Sequence, residues 1–362
     1  MLIYACISSH GYGHGSRSAA VLAELVKLRP DWRLVLSTAL PESFLRLAFG
    51  AVPFVRRECR WDVGVIQADA LATDPAATLT ALEELDRILP AQLERESAWL
   101  GAHNGPIALL GDVPPPAALL ARRLGVPLIW LASFGWDAIY EPMGAAFQER
   151  ARRARELYEQ GDLLLRCPLS LPMPWGIPSV TIGITSSRPR FNADDLAGKL
   201  ALPADRDLCV LISFGGLGMR LDPSLTRRWP DHVFVGPDPA LAAVANGRQL
   251  PEGVRPLDLM PRVGRLITKP GYSSFCEAFS QGVGIHLVRR AGFAEAPVLE
   301  QALQDHGRHR LLSQEQLRSG DWQLDQPLLE PRLGPLPLDG AEVAARAIVQ
   351  QLDGRSGDPI IQ

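Results

Sequence analysis

Long apolar runs, basic runs, closely spaced cysteines and Asp-x-Asp-like pairs at strand ends are all missing from this sequence, and each absence removes a class of function. No stretch approaches the roughly 20 apolar residues that a membrane-spanning helix needs. The opening Met1-Leu2-Ile3-Tyr4-Ala5-Cys6-Ile7 has no basic segment ahead of its short apolar run, so it does not read as a secretory signal. The expectation is a soluble protein with no transmembrane segment, for which peripheral membrane contact stays open. Lys and Arg number 37 against 40 Asp and Glu, a formal net charge of -3. No basic run is long enough to track a phosphate backbone, so nucleic acid is not an expected partner. Five cysteines, Cys6, Cys59, Cys167, Cys209 and Cys276, are odd in number, far apart and without a CxxC pair. They read as buried thiols in a reducing cytoplasm, not as zinc ligands or a disulfide framework. No Asp-x-Asp-like pair stands out at a strand end, and neither a metal nor a cofactor is expected.

What is present is the alternation of short apolar runs with amphipathic segments that builds parallel α/β sheets. With 362 residues and 47% hydrophobic content the chain exceeds what one core usually holds, and two domains are expected. The pattern predicts strands at Leu2 to Ser8, Arg33 to Ser37, Ile107 to Leu110 and Leu128 to Ala132. Helices are predicted over about Ser18 to Leu28, from Pro41-Glu42, Thr78 to Leu100, Pro116 to Leu124 and Phe147 to Gln160. Prolines 168, 172, 174, 178 and 189 then crowd together, as in a linker. We place the boundary near residue 186, giving domains 1–185 and 186–362. The second half repeats the alternation, with strands at Leu208 to Ser213, His232 to Val235, Arg265 to Thr268 and Ile285 to Val288. Its helices are predicted at Ser273 to Gln281, Pro297 to His306 and Ala341 to Leu352, the last a candidate to pack back on the N-terminal domain. The expected architecture is two Rossmann-like αβα domains facing across a cleft at the carboxyl ends of their strands.

Five segments carry chemistry. In Lys269-Pro270-Gly271-Tyr272-Ser273-Ser274 a strand end meets a helix start, where unpaired N–H groups and the positive dipole end favour a phosphate. Glu277, one turn on, is placed for ribose hydroxyls. A plain turn with a serine cap explains the same residues, and both readings stand at this stage. Phe214-Gly215-Gly216-Leu217-Gly218 follows a strand and can bring backbone N–H groups near a diphosphate, although no Walker Lys-Ser/Thr pair follows. In the first turn, Ser9-His10-Gly11-Tyr12-Gly13-His14-Gly15-Ser16-Arg17, the glycine spacing fails the dinucleotide fingerprint, but two imidazoles are offered. One of them can act as a general base, and Asp112, at the end of another strand, can orient it or simply cap a helix. After the strand at Ile285 to Val288, Arg289 or Arg290 can meet phosphate and Glu295 sugar hydroxyls, with Arg290 read as a surface charge.

Taken in order, HGYGHGSR (10–17), VIQADAL (65–71), SFGWDAIYEPM (133–143), SFGG (213–216), KPGYSSFCEA (269–278) and LVRRAGFAEAPVLEQAL (287–303) resemble the GT-B glycosyltransferases. Within that superfamily they resemble the N-terminal glycosyltransferase-like domain of L-arabinokinases, and more distantly the peptidoglycan N-acetylglucosaminyltransferases. The chain shows no second glycine-rich kinase loop, so arabinose phosphorylation is not among the expectations. The resemblance implies a GT-B fold whose C-terminal domain holds a nucleotide-diphosphate sugar, UDP-sugar foremost. Gly215, Gly216, Lys269, Gly271, Ser273, Ser274 and Arg289 would face the diphosphate, Glu277 the ribose and Glu295 the sugar. His10, Gly13, Arg17, Trp136 and Asp137 would lie on the acceptor side, with His14 and Asp112 catalytic. Where arabinokinase-like domains carry an Asn-Glu-Glu-type run, this chain has Ala294-Glu295-Ala296, with fewer polar groups for the sugar.

The expected activity is inverting, metal-independent hexosyl or pentosyl transfer from a nucleotide sugar to a small-molecule or glycan hydroxyl. Two rivals use the same fold. An epimerase or hydrolase would draw on Glu295 and His286, and a non-catalytic nucleotide-sugar-binding regulator would need no base at all.

Overall fold

A computed structural model describes residues 1–67, 73–215, 221–290 and 292–354. The chain divides into two compact units. The first holds Met1–Thr185, Phe293–Glu295 and the closing helix Gly340–Asp353, and the second holds Ser186–Gly292 and Ala296–Pro337.

In the first unit seven strands form one parallel sheet. They are β1 (Leu2–Ile7), β2 (Arg33–Ser37), β3 (Val55–Arg57), β4 (Ile107–Asp112), β5 (Leu128–Ala132), β6 (Leu163–Arg166) and β7 (Ser179–Thr181). Their order is β3-β2-β1-β4-β5-β6-β7. The central strands are buried on both faces, which is why β1 reads as the unbroken run LIYACI instead of alternating. β3, β6 and β7 escaped the sequence reading. β7 lies among the prolines, tolerated because it is the edge strand.

The first helix runs from Tyr12 to Leu28, six residues earlier than its periodicity suggested. Gly11, at φ 87, makes the turn out of β1 that a side chain would strain, and the helix starts at the next residue. Three glycines lower the local helix propensity of HGYGHGSR, but burial of His14, Gly15, Arg17 and Ser18 overrides it. In consequence His14, Arg17 and Ser18 stand at i, i+3 and i+4, on one face of one helix. The long helix Pro75–Gly101 is capped by Asp74, which accepts from the Ala77 N–H at 2.9 Å. The closing helix packs on the first helix, and Arg29 Nη1 meets the Asp353 carboxylate at 2.7 and 2.9 Å.

The second unit repeats the topology with six parallel strands. They are β8 (Cys209–Ile212), β9 (Val233–Gly236), β10 (Gly247–Gln249), β11 (Arg265–Thr268), β12 (Gly284–Val288) and β13 (His309–Leu312), in the order β10-β9-β8-β11-β12-β13. Val210, Phe234, Ile267, Val288, Leu312 and Trp322 form the centre of one of its cores. In each sheet the strand order reverses once, between β1 and β4 and between β8 and β11. A crevice opens at such a reversal beyond the carboxyl ends of the strands, and ligands of open α/β sheets bind there.

Candidate active site

Register brings the first site together. Ile7 of β1 lies opposite Asp112 of β4, and the Ser8 N–H donates to the Asp112 carbonyl at 3.2 Å. The helix that follows β1 therefore starts directly above the Asp112 side chain. His14 Nδ1 lies 2.9 Å from Asp112 Oδ1, Ser18 Oγ donates to Oδ2 at 2.7 Å, and Arg17 Nε donates to Oδ2 at 3.1 Å. Arg17 Nη2 reaches Oδ1 as well, and Nη1 donates to Ser133 Oγ at 2.9 Å, just past β5.

Asp112 is fully buried. Burial alone would raise its pKa, but the Arg17 guanidinium and the His14 contact outweigh it and hold the carboxyl at about 2. An ionised carboxylate only accepts, so the proton of the shared contact sits on His14 Nδ1. The lone pair is then on Nε2, the nitrogen not used by Asp112, and the imidazole is the tautomer a general base requires. The ring is 7% exposed and meets the edge of Phe134 at 5.7 Å.

One acid near His14 escaped the sequence reading. Asp62 is buried, accepts from Trp136 Nε1 at 2.9 Å and has its pKa raised by burial, against the opposing influence of Ser8, Trp136 and His14. It sits in an irregular segment between β3 and the long helix, and Trp61-Asp62-Val63 offers only an isolated acid between apolar residues.

The structure reassigns most of the expected acceptor-side residues. Arg17 is 2% exposed and spent on Asp112 and Ser133, so it serves the dyad and not an acceptor. Trp136, at 1%, supports Asp62, while Asp137, equally buried, accepts from Arg155 Nε at 3.1 Å and Trp175 Nε1 at 3.2 Å. Both belong to the packed interior because the short helix Trp136–Tyr140 turns them inward. His10 lies against Gly64, where an added Cβ would come within 2.2 Å of Nδ1, and against the Trp136 ring at 5.3 Å. Gly13 is in the first turn of the Tyr12–Leu28 helix.

The second site is built at β8 and β11. Ile212 lies opposite Ile267, and the Ser213 N–H donates to the Ile267 carbonyl at 3.1 Å, so Gly215 and Lys269 leave neighbouring strand ends. Gly215 is exposed with φ 73, whereas Gly216 lies outside the described residues. Gly271 precedes the helix Tyr272–Ser280 with no side-chain cap on its first N–H groups, and Ser273 and Ser274 occupy its first turn. Burial and the neighbouring Arg290 push the Lys269 ammonium down to about 8. Burial also pushes the Glu277 carboxyl up to about 7, with Arg255 opposing the rise and Asp258 adding to it.

Arg289 takes no part in this cluster. It is exposed and paired with Glu300 at 2.8 Å, and Arg290 is the arginine whose charge reaches Lys269. Arg290, expected as a surface charge, and not Arg289, expected to meet phosphate, is thus the arginine beside Lys269, because consecutive residues past a strand end point in opposite directions. Glu295 is buried at the start of the helix Glu295–His306. His286 is fixed between Trp322 O, 2.9 Å from Nδ1, and Arg265 Nη1, 3.2 Å from Nε2. Burial and Arg265 push it down to about 3, and both of its ring nitrogens are engaged by the protein.

No protein-family model matches the chain. L-arabinokinase of Arabidopsis thaliana is 27% identical over 362 residues, which cover 96% of this chain but 34% of that protein. The chain thus spans about a third of the curated relative it matches. Among solved structures, Arabidopsis thaliana UGT89C1 complexed with UDP-L-rhamnose superposes with a TM-score of 0.63 at 12% identity, covering 98% of this chain and 95% of that one. A UDP-glucosyltransferase from Polygonum tinctorium, in complex with 3,4-dichloroaniline, gives 0.61 at 14% identity over 98% and 94%. UGT2 of Phytolacca americana, complexed with UDP-2fluoro-glucose and pterostilbene, gives 0.58 at 15% over 98% and 91%. The chain has the GT-B fold and is homologous to the N-terminal region of L-arabinokinase. Among the described residues no helix is long and apolar enough to cross a membrane.

Proposed function

We propose that the chain transfers a sugar from a nucleotide diphosphate, UDP first among the candidates, to a hydroxyl acceptor. The contact between His14 Nδ1 and Asp112 Oδ1 carries this reading, because it turns the free Nε2 lone pair into a base at a strand-order reversal. In the proposed step Nε2 takes the acceptor proton while the acceptor oxygen attacks the anomeric carbon. The bond from that carbon to the diphosphate breaks with inversion, and the leaving electron pair goes to the diphosphate. Lys269, Arg290 and the positive N-terminal end of the Tyr272–Ser280 helix are the proposed counter-charge for that anion, a role a divalent ion fills elsewhere. Glu277 is the proposed acceptor of ribose hydroxyl hydrogens. The donor domain is proposed to be the second unit and the acceptor side the first. Five buried, free cysteines support a cytoplasmic location.

The test is a thermal-shift screen of UDP-, GDP-, ADP- and TDP-sugars, followed by transfer assays with EDTA present, for wild type and His14→Ala. The reading expects one donor class to stabilise both proteins and only wild type to transfer, unaffected by EDTA. If no nucleotide sugar stabilises the protein, the donor assignment fails. Binding to both with transfer by neither favours a regulator.

A further inference from the structure

We propose that Arg17 is a positioning residue of the base, carrying the counter-charge of Asp112 and holding its carboxylate so that the His14 imidazole is fixed in the tautomer that leaves Nε2 free for its acceptor. The inference rests on the transferase reading for its chemistry but on side-chain geometry for its substance.

A carboxylate offers about four lone-pair sites. Those of Asp112 are met by His14 Nδ1, Arg17 Nε, Arg17 Nη2 and Ser18 Oγ, so the carboxylate cannot turn without losing a partner. The guanidinium is itself anchored by Ser133 Oγ, which ties the first helix to the end of β5. Both ions are fully desolvated, and neither has water to screen it. The planar fork matters here, because an ammonium supplies a point charge and cannot bond both carboxylate oxygens in one plane.

Nitrogen-15 NMR of the histidine rings, with His14→Gln to assign the His14 signals, tests this without any substrate. Wild-type His14 is expected to show the Nδ1–H tautomer, and an Nε2–H tautomer would overturn the arrangement. In Arg17→Gln the ring is expected to lose its single Nδ1–H tautomer and show a mixture, since the Asp112 carboxylate is then free to turn away. Arg17→Lys, which restores the charge but not the planar fork, is expected to recover the tautomer only in part. An unchanged tautomer in folded Arg17→Gln, or the same change in both variants, overturns the proposal. If Arg17→Gln does not fold, the decision falls to the wild-type tautomer and to Arg17→Lys, which must lower kcat while leaving KM near its wild-type value. Failure of the transferase reading is recognised separately, because it abolishes transfer by wild type while leaving these ring signals unchanged.

Discussion

The two strand-order reversals share a topology and differ in how their charges are satisfied. Beyond β1 and β4 a buried carboxylate has every lone pair filled by protein donors, and its partner arginine is saturated by the same group and Ser133. Beyond β8 and β11 a half-buried lysine lies near an arginine, and a nine-residue helix begins without a side-chain cap. The first arrangement is complete in itself and holds a proton in a defined place. The second places positive charge where an incoming anion would neutralise it. One fold element, repeated, thus yields a closed charge network at one strand-order reversal and a concentration of positive charge at the other.

This contrast breaks most directly at Asp112. Asp112→Ala leaves Arg17 as an uncompensated buried cation and is expected to cost about 3–5 kcal/mol of unfolding free energy. Lys269→Ala removes a partly desolvated cation and is expected to cost little or to stabilise. Chemical denaturation of both variants checks this, and equal losses would erase the distinction between the two sites. Next in size is His14→Ala, expected to lower transfer by about 10²–10⁴-fold with nucleotide-sugar affinity preserved, as calorimetry alongside turnover will show. Lys269→Ala is expected to do the reverse at the binding step, weakening UDP by about 1.5–3 kcal/mol.

The smallest effect is a dependence on pH. Glu277 is raised in the folded state to about 7, so the native protein binds its proton more tightly than the unfolded chain. Stability from this group is present at pH 4 and is lost as pH rises toward 7, after which the burial penalty is fully felt. Glu277→Gln should therefore be more stable than wild type at pH 8 and indistinguishable near pH 4. Lys269 has the opposite sense. Lowered to about 8, it destabilises below that pH and ceases to do so as pH rises toward 10.5. Donor affinity should also fall as pH climbs through 8 and the ammonium is lost. Melting curves and UDP titrations across pH 4–10 measure both trends.

Local pattern and tertiary context divided the readings along a physical line. Strands such as Arg33–Ser37, Leu128–Ala132 and Arg265–Thr268 were recovered to the residue, because a strand buried on both faces is a short apolar run bounded by polar residues. The edge strand β7 and the short helix Trp136–Tyr140 were not, since the first is too brief and proline-flanked and the second owes its existence to the side chains it buries. Of the acceptor-side residues, Trp136 and Asp137 have polar side chains or tips that suit a ligand as well as a core partner. Only the positions of Asp62, Arg155 and Trp175 decide between the two.

The amino-acid sequence alone determined that this is a parallel α/β chain, and that His14, Asp112 and the Lys269-to-Ser274 turn stand at strand ends. Periodicity and turn chemistry act within a few residues, and a sequence displays them directly. The tertiary structure alone decided that His14 and Asp112 meet, that Arg17 fills the remaining face of the same carboxylate, and that Arg290 faces Lys269 while Arg289 does not. The first two depend on contacts spanning 98 and 95 positions along the chain, and all three are set by strand register and by which face of an element is buried.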